Sequence, residues 1–182
     1  MLKEPRPGRV KTRLGRTIGM VPAAWWFRLQ TARLIRRMRS PEWELVLAVS
    51  PDREGQMSRV WPSDLPRWSQ GSGDLGHRMR RVFQGLPPGP VVIIGADVPA
   101  IRQHHVRAAF AALGGSDYVM GPAPDGGYWL IGMHRTRRFP AGGFGNVRWS
   151  TAHAYADTVR SFGDLRLAIV DSLSDVDEAD DL

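Results

Sequence analysis

The chain has no cysteine among its 182 residues. That excludes disulfides, thiolate metal sites and a cysteine nucleophile. No apolar run approaches the length of a membrane span, and the polar, proline-rich N-terminus lacks the apolar core of a signal peptide. A cytoplasmic protein without a membrane partner is therefore the expectation. Lysine is nearly absent too: Lys3 and Lys11 are the only two, and arginine carries the rest of a net charge of +7. The arginine bias fits a GC-rich genome, which makes a retained Lys11 more informative. The five histidines, His77, His104, His105, His134 and His153, show no metal-ligand spacing and read as surface or loop residues. No Ser-His-Asp or HExxH pattern is present, and there are no repeats and no linker.

What is present suits one globular domain, residues 1–182, with 42% hydrophobic and 24% charged residues. The basic balance points to an anionic partner: a phosphorylated small molecule or nucleic acid. Periodicity predicts helices over Pro22–Arg39, Asp74–Phe83, Ile101–Leu113 and from a Ser150 cap to Phe162. In the first, Trp25 and Trp26 fall on the apolar stripe and are expected in the core. Strands are expected at Leu45–Val49, Arg67–Ser69, Pro90–Ala96, Tyr118–Met120, Tyr128–Ile131 and Leu167–Val170. Ser50–Gly55 reads as a turn, Arg135–Val147 as a Gly- and Arg-containing loop, and Ser172–Leu182 as an acidic tail. Alternating strands and helices predict an α/β fold with a largely parallel sheet.

Four segments can carry chemistry. Pro90–Ala96 is apolar on both faces, as a central parallel strand would be, and it runs into Asp97 and Pro99. Ligands of open α/β sheets sit beyond such strand ends; the alternative is an Asp that caps the next helix. Asp125, Gly126 and Gly127 precede the apolar run Tyr128–Ile131, which puts a carboxylate on a flexible turn. An ordinary hairpin would look the same. Gly8, Lys11 and Arg13 place backbone N–H groups and cations where they can hold a di- or triphosphate, although this is not a Walker A loop. A basic chain end is the bland alternative. Gly73, Asp74 and Gly76 form a glycine-rich entry to a helix, whose N–H groups can meet a base or sugar.

Taken in order, these segments resemble the nucleotide-diphospho-sugar transferase (GT-A-like) superfamily. The similarity is to a bacterial family of sparsely characterised glycosyltransferase-like proteins, some of arsenosugar-biosynthesis type. The patterns are KxPxPGxVKTRL (Lys3–Leu14), GDLGxRM (Gly73–Met79), GxDxPxL (Gly95–Ile101), GPAxDGGYxLxG (Gly121–Gly132) and WST (Trp149–Thr151). A more distant similarity, to phospholactate guanylyltransferases, includes the closing Asp175–Leu182. The resemblance implies a three-layer αβα sandwich, Rossmann-like, with a mostly parallel mixed sheet. It implies that Lys11 and Arg13, with Gly8, hold donor phosphates, and that Gly73, Asp74 and Gly76 lie near the nucleotide. Asp97 would be catalytic and bind Mg²⁺ or Mn²⁺, with Asp177 assisting the metal or anchoring the end of the fold. Asp125 would orient an acceptor or act as its base, beside Gly126 and Gly127. The implied partners are a nucleotide-sugar, or a nucleoside triphosphate, and a small-molecule acceptor; nucleic acid is not expected.

Two departures stand out. The family's first apolar strand precedes Lys-x-Pro, so with Met1 and Leu2 alone ahead of Lys3 that strand is expected to be missing or truncated. Pro99 also stands where a second carboxylate of an Asp-x-Asp pair would be. Glycosyl transfer is the first reading. Nucleotidyl transfer with release of pyrophosphate is the second, and non-catalytic nucleotide or nucleic-acid binding the third.

Overall fold

The computed structural model describes residues 1–134 and 139–181. The start of the expected loop at 135–147 and the last residue of the acidic tail lie outside the described residues. The chain divides into two compact units: Met1–Gln70 with Gly95–Ile101 and Asp175–Leu182, and Gly71–Ile94 with Arg102–Ser174.

The first unit is built on a parallel sheet in the order β1 (Leu2–Lys3), β2 (Leu47–Ser50), β3 (Arg67–Ser69). Leu2 and Lys3 pair in register with Val49 and Ser50, so a first strand is present, two residues long. Gln70 extends this sheet with its side chain, donating to the carbonyls of Leu2 and Ala48 at 2.9 and 2.7 Å. Helices α1 (Thr12–Ile18), α2 (Met20–Met38) and α3 (Asp52–Met57) belong to the same unit. Helix α2 buries Ala23, Ala24, Phe27, Thr31, Leu34, Ile35 and Met38, a stripe at three- and four-residue spacing. Its Phe27 and Ile35 join Leu2, Val10, Val49, Trp61 and Ala96 in one core. One tryptophan differs from expectation: Trp25 is 54% exposed, whereas the half-buried Trp26 packs against that core.

The second unit holds a mixed sheet in the order β4 (Pro90–Ile94), β6 (Tyr128–His134), β5 (Tyr118–Pro122), β7 (Leu167–Ile169). Strand β4 ends at Ile94 and, among the described residues, pairs only with β6, antiparallel. That corrects the central parallel strand expected from its apolar sequence: β4 stands at the end of the sheet order with only Ile93 buried, and an apolar run records neither its neighbours nor their direction. Strands β5 and β6 form an antiparallel hairpin across the Asp-Gly-Gly turn, and β5 pairs parallel with β7. Helices α4 (Leu75–Gly85), α5 (Gln103–Ala112) and α6 (Ala154–Ser161) complete the unit. Tyr118, Phe144 and Phe162 pack face and edge at ring separations of 4.8 and 5.2 Å.

The α/β class with parallel and mixed sheets is therefore what the chain adopts. Three details differ from expectation. Thr12–Ile18 and Asp52–Met57 are helices where a phosphate segment and a turn were read. Ser150 does not cap α6: it lies in a turn at φ 60°, and the helix begins at Ala154. Of the histidines read as surface or loop residues, His77, His104 and His153 are exposed, whereas His105 is buried on α5 and His134 is half-buried on β6. Among the described residues no helix is long and apolar enough to cross a membrane.

Candidate functional site

In the first unit, carboxylates from two distant segments of chain converge on one ammonium group. Lys11 is the residue before α1, held in the left-handed region at φ 44°. Val10 beside it is buried in the core, and the Lys11 carbonyl accepts the N–H of Gly15 as the helix starts. The Lys11 side chain is 6% exposed and its Nζ lies 2.6 Å from Asp97 Oδ2. It donates to Asp177 Oδ1, also at 2.6 Å, and stands 4.0 Å from Asp175 Oδ2. Arg13, in the first turn of the helix and largely exposed, donates to Asp177 Oδ2 at 3.2 Å.

The carboxylates are placed by backbone hydrogen bonds. The Asp97 carbonyl accepts the N–H of Val176 at 3.1 Å, which ties the C-terminal segment to the Gly95–Ile101 segment. Val176 is buried while Asp175 and Asp177 on either side stay half-buried, so the extended chain turns both acids the same way. Beyond them, Asp181 Oδ2 accepts the N–H groups of Asp177 and Glu178 at 2.9 and 2.8 Å. Those two N–H groups, Glu178 first, hold the Asp181 carboxyl below its usual range.

Burial alone would lower the Lys11 pKa. The Asp97 charge, the hydrogen bonds to Asp177 and Asp97, and the Asp177 charge outweigh it and leave the pKa raised, so Lys11 is charged at neutral pH. The sequence pointed to Lys11, Arg13, Asp97 and Asp177, and all four meet here. It missed Asp175. The signal was available: Asp175 and Asp177 are two apart around an apolar Val176. Gly8 lies three residues before Lys11 in an exposed turn closed by Arg9 N–H on the Arg6 carbonyl.

This donor set suits a hard divalent cation. Asp97, Asp175 and Asp177 each offer one carboxylate oxygen, and these oxygens all lie within 4.8 Å of one another. All-carboxylate oxygen donors favour Mg²⁺ or Mn²⁺ over softer metals. The Lys11 ammonium is a cation already seated among them. Asp175 and Asp177 come from the far end of the chain and could stand in for the second carboxylate absent at Pro99.

The other predicted residues belong to the second unit. Asp74 caps α4: its Oδ1 accepts the His77 N–H at 2.8 Å, a contact that holds the Asp74 carboxyl below its usual range. Gly76 lies under the Trp149 indole, where a Cβ would fall 2.7 Å from the ring. In the β5–β6 hairpin, Asp125 is exposed and its Oδ1 accepts the Gly127 N–H at 2.8 Å. Gly126 has φ 84°, and a Cβ there would strike the Ala152 carbonyl. Its own carbonyl accepts the Tyr155 N–H at 2.9 Å. Tyr128 is half-buried, and burial around its hydroxyl pushes the pKa up; the hydroxyl accepts from Thr158 at 3.4 Å. The GDLG, DGGY and WST segments are therefore joined by packing around residues 149–158. Gly73 precedes that helix cap, its carbonyl accepting from Arg78 Nε at 3.0 Å.

Comparison with known proteins bears on both units. Residues 33–151 match the family described as "Uncharacterized protein conserved in bacteria (DUF2064)". A crystal structure from Desulfovibrio desulfuricans G20, titled a "putative nucleotide-diphospho-sugar transferase", is similar over 97% of this chain and 80% of that one. The two are 30% identical, with a TM-score of 0.85, and this chain has that fold. Rv0371c from Mycobacterium tuberculosis H37Rv is 14% identical over 85% of this chain and 80% of that one, with a TM-score of 0.53. Its homologue from Mycobacterium sp. strain JC1 is 15% identical over 85% of this chain and 78% of that one, also at 0.53. These two share the fold alone. No curated protein matches the chain.

Proposed function

The chain belongs to the bacterial DUF2064 family, and from its acidic cluster we propose that it transfers a glycosyl group from a nucleotide-diphosphate sugar to a small-molecule acceptor, with a divalent cation. One observation carries this reading: three carboxylates from two distant segments close around the Lys11 ammonium, with Arg13 beside them. Structural similarity to a protein titled a nucleotide-diphospho-sugar transferase supports it.

Mg²⁺ or Mn²⁺ held by Asp97, Asp175 and Asp177 would supply the positive charge that stabilises a departing diphosphate. The chain's own groups do the rest. Lys11 lies among the carboxylates as the cluster's resident cation; turned toward a bound diphosphate, with Arg13, it adds two cations to the phosphate oxygens. Asp181 keeps Asp177 in place through the backbone. Asp125, exposed on its hairpin, keeps one carboxylate oxygen beyond the bond from Gly127 and is the residue we assign to orienting the acceptor or taking its proton. Gly126 and Gly127 shape that turn. Gly8, in the same unit as Lys11, is assigned to the nucleotide.

The test is a thermal-shift screen of nucleotide-sugars and nucleoside triphosphates, with and without Mg²⁺ or Mn²⁺. A ligand that binds the native state raises the melting temperature. The expected result is a metal-dependent rise with a nucleotide-sugar, lost in Asp97→Ala, and release of nucleoside diphosphate on turnover. A rise confined to nucleoside triphosphates, with pyrophosphate released, would replace this reading with nucleotidyl transfer.

A further inference from the structure

The exposed face of α2 carries an apolar stripe in its N-terminal half, edged by arginines. Val21, Trp25 and Leu29 follow one another at four-residue spacing and are 54, 54 and 53% exposed. They lie opposite the stripe that α2 buries in the core of its own unit. A helix of this length that is apolar on two faces has something to cover the second one.

Charge says what kind of surface that is. The Arg28 guanidinium sits 5.0 Å over the Trp25 ring. Arg33 and Arg36 are exposed along the same helix and, among the described residues, form no ion pair. Residues 5–41 contain ten of the chain's 25 cationic side chains and none of its 18 acidic ones. The remaining chain carries fifteen cations against those eighteen acids; Lys11, Arg13 and Arg39 pair with aspartates outside the segment, which leaves the excess positive charge on its other arginines. A second copy is disfavoured, because a two-fold pairing of α2 would set arginine against arginine with no carboxylate on either helix.

We propose that the Val21–Trp25–Leu29 face of α2, with Arg28, Arg33 and Arg36, docks on the surface of an anionic lipid bilayer. Tryptophan and leucine enter the boundary between headgroups and acyl chains, while arginines at its edge meet lipid phosphates. The expectation of no membrane partner rested on the lack of a spanning segment, and a helix lying on the surface needs none. The inference is independent of the reading of Lys11 and the aspartates.

Co-sedimentation of the full chain with lipid vesicles tests it. The protein should pellet with vesicles containing phosphatidylglycerol at low salt, and not with phosphatidylcholine alone. Trp25→Ser with Leu29→Ser should lower partitioning at least about tenfold, and Arg28→Gln or Arg33→Gln about fivefold each. Each single substitution, Trp25→Ser and Leu29→Ser, is run beside the pair with a circular-dichroism melt, so a folding defect cannot pass for lost docking. Three results would overturn the proposal: no pelleting at low salt, pelleting untouched by the apolar substitutions, or a concentration-dependent dimer that those substitutions abolish. Pelleting abolished by an acidic protein competitor and unaffected by the choice of lipid would also overturn it, in favour of a protein partner.

Discussion

Lys11 holds three carboxylates together, so removing its charge leaves them facing one another. Lys11→Met should cost roughly 1–3 kcal/mol of stability, below the cost of breaking a fully buried pair because the aspartates are about a third exposed. Millimolar Mg²⁺ or Mn²⁺ should return much of that loss in a thermal melt, by taking the ammonium's place. A variant whose melting temperature ignores the metal would remove the aspartates from metal binding. The pH dependence follows from the sign of the shift. The folded pKa of Lys11 is raised above 10.5, so its contribution is complete below 10.5 and disappears only as pH rises through the higher folded value. The gap between wild type and Lys11→Met should therefore be constant from neutral pH upward and close only in strongly alkaline buffer. At this scale Lys11, Arg13 and Asp97 were legible from the residues themselves, as charges behind a glycine and at a strand end, and Asp177 through the resemblance of the closing segment. Asp175 was not, because an aspartate inside an acidic tail looks like any solvated charge.

Among the elements, the Asp-Gly-Gly hairpin makes the sharpest demand. Gly126 combines a positive φ with a backbone carbonyl where its Cβ would be. Gly126→Ala should destabilise the protein by roughly 2–4 kcal/mol, the sum of left-handed strain and overpacking. A chemical-denaturation midpoint within error of wild type would mean that Ala152 moves aside without cost. The motif is therefore read correctly as a turn, while much of its glycine content answers to the segment packed on it. Asp74 gives the same lesson: a carboxylate expected near a nucleotide is also the cap of α4. Helix α2 was visible in its periodicity, but Trp25 was assigned inward along with Trp26, which alone packs against the core. Hydropathy alone cannot tell which of two apolar faces the core covers, and Ala23, Ala24 and Phe27 cover it.

For the whole molecule, the +7 net charge admits a nucleic-acid partner, yet the site itself is acidic. Duplex DNA should bind weakly and lose affinity steeply with added salt, with no protection of Lys11 from acylation. Tight, salt-resistant retention of an oligonucleotide in a filter-binding assay would promote the non-catalytic reading over transfer.

The order of apolar strands and amphipathic helices was enough to settle the α/β class, since each element's periodicity is local. The linear pattern was also enough for the family, because its motifs recur in order along nearly the whole chain. Strand direction, as in β4, needed the tertiary structure: an apolar run carries no record of its neighbours. The third carboxylate needed it as well. Asp175 meets Asp97 only because Val176 donates to the Asp97 carbonyl, and a contact between segments so distant along the chain exists only once the chain has folded.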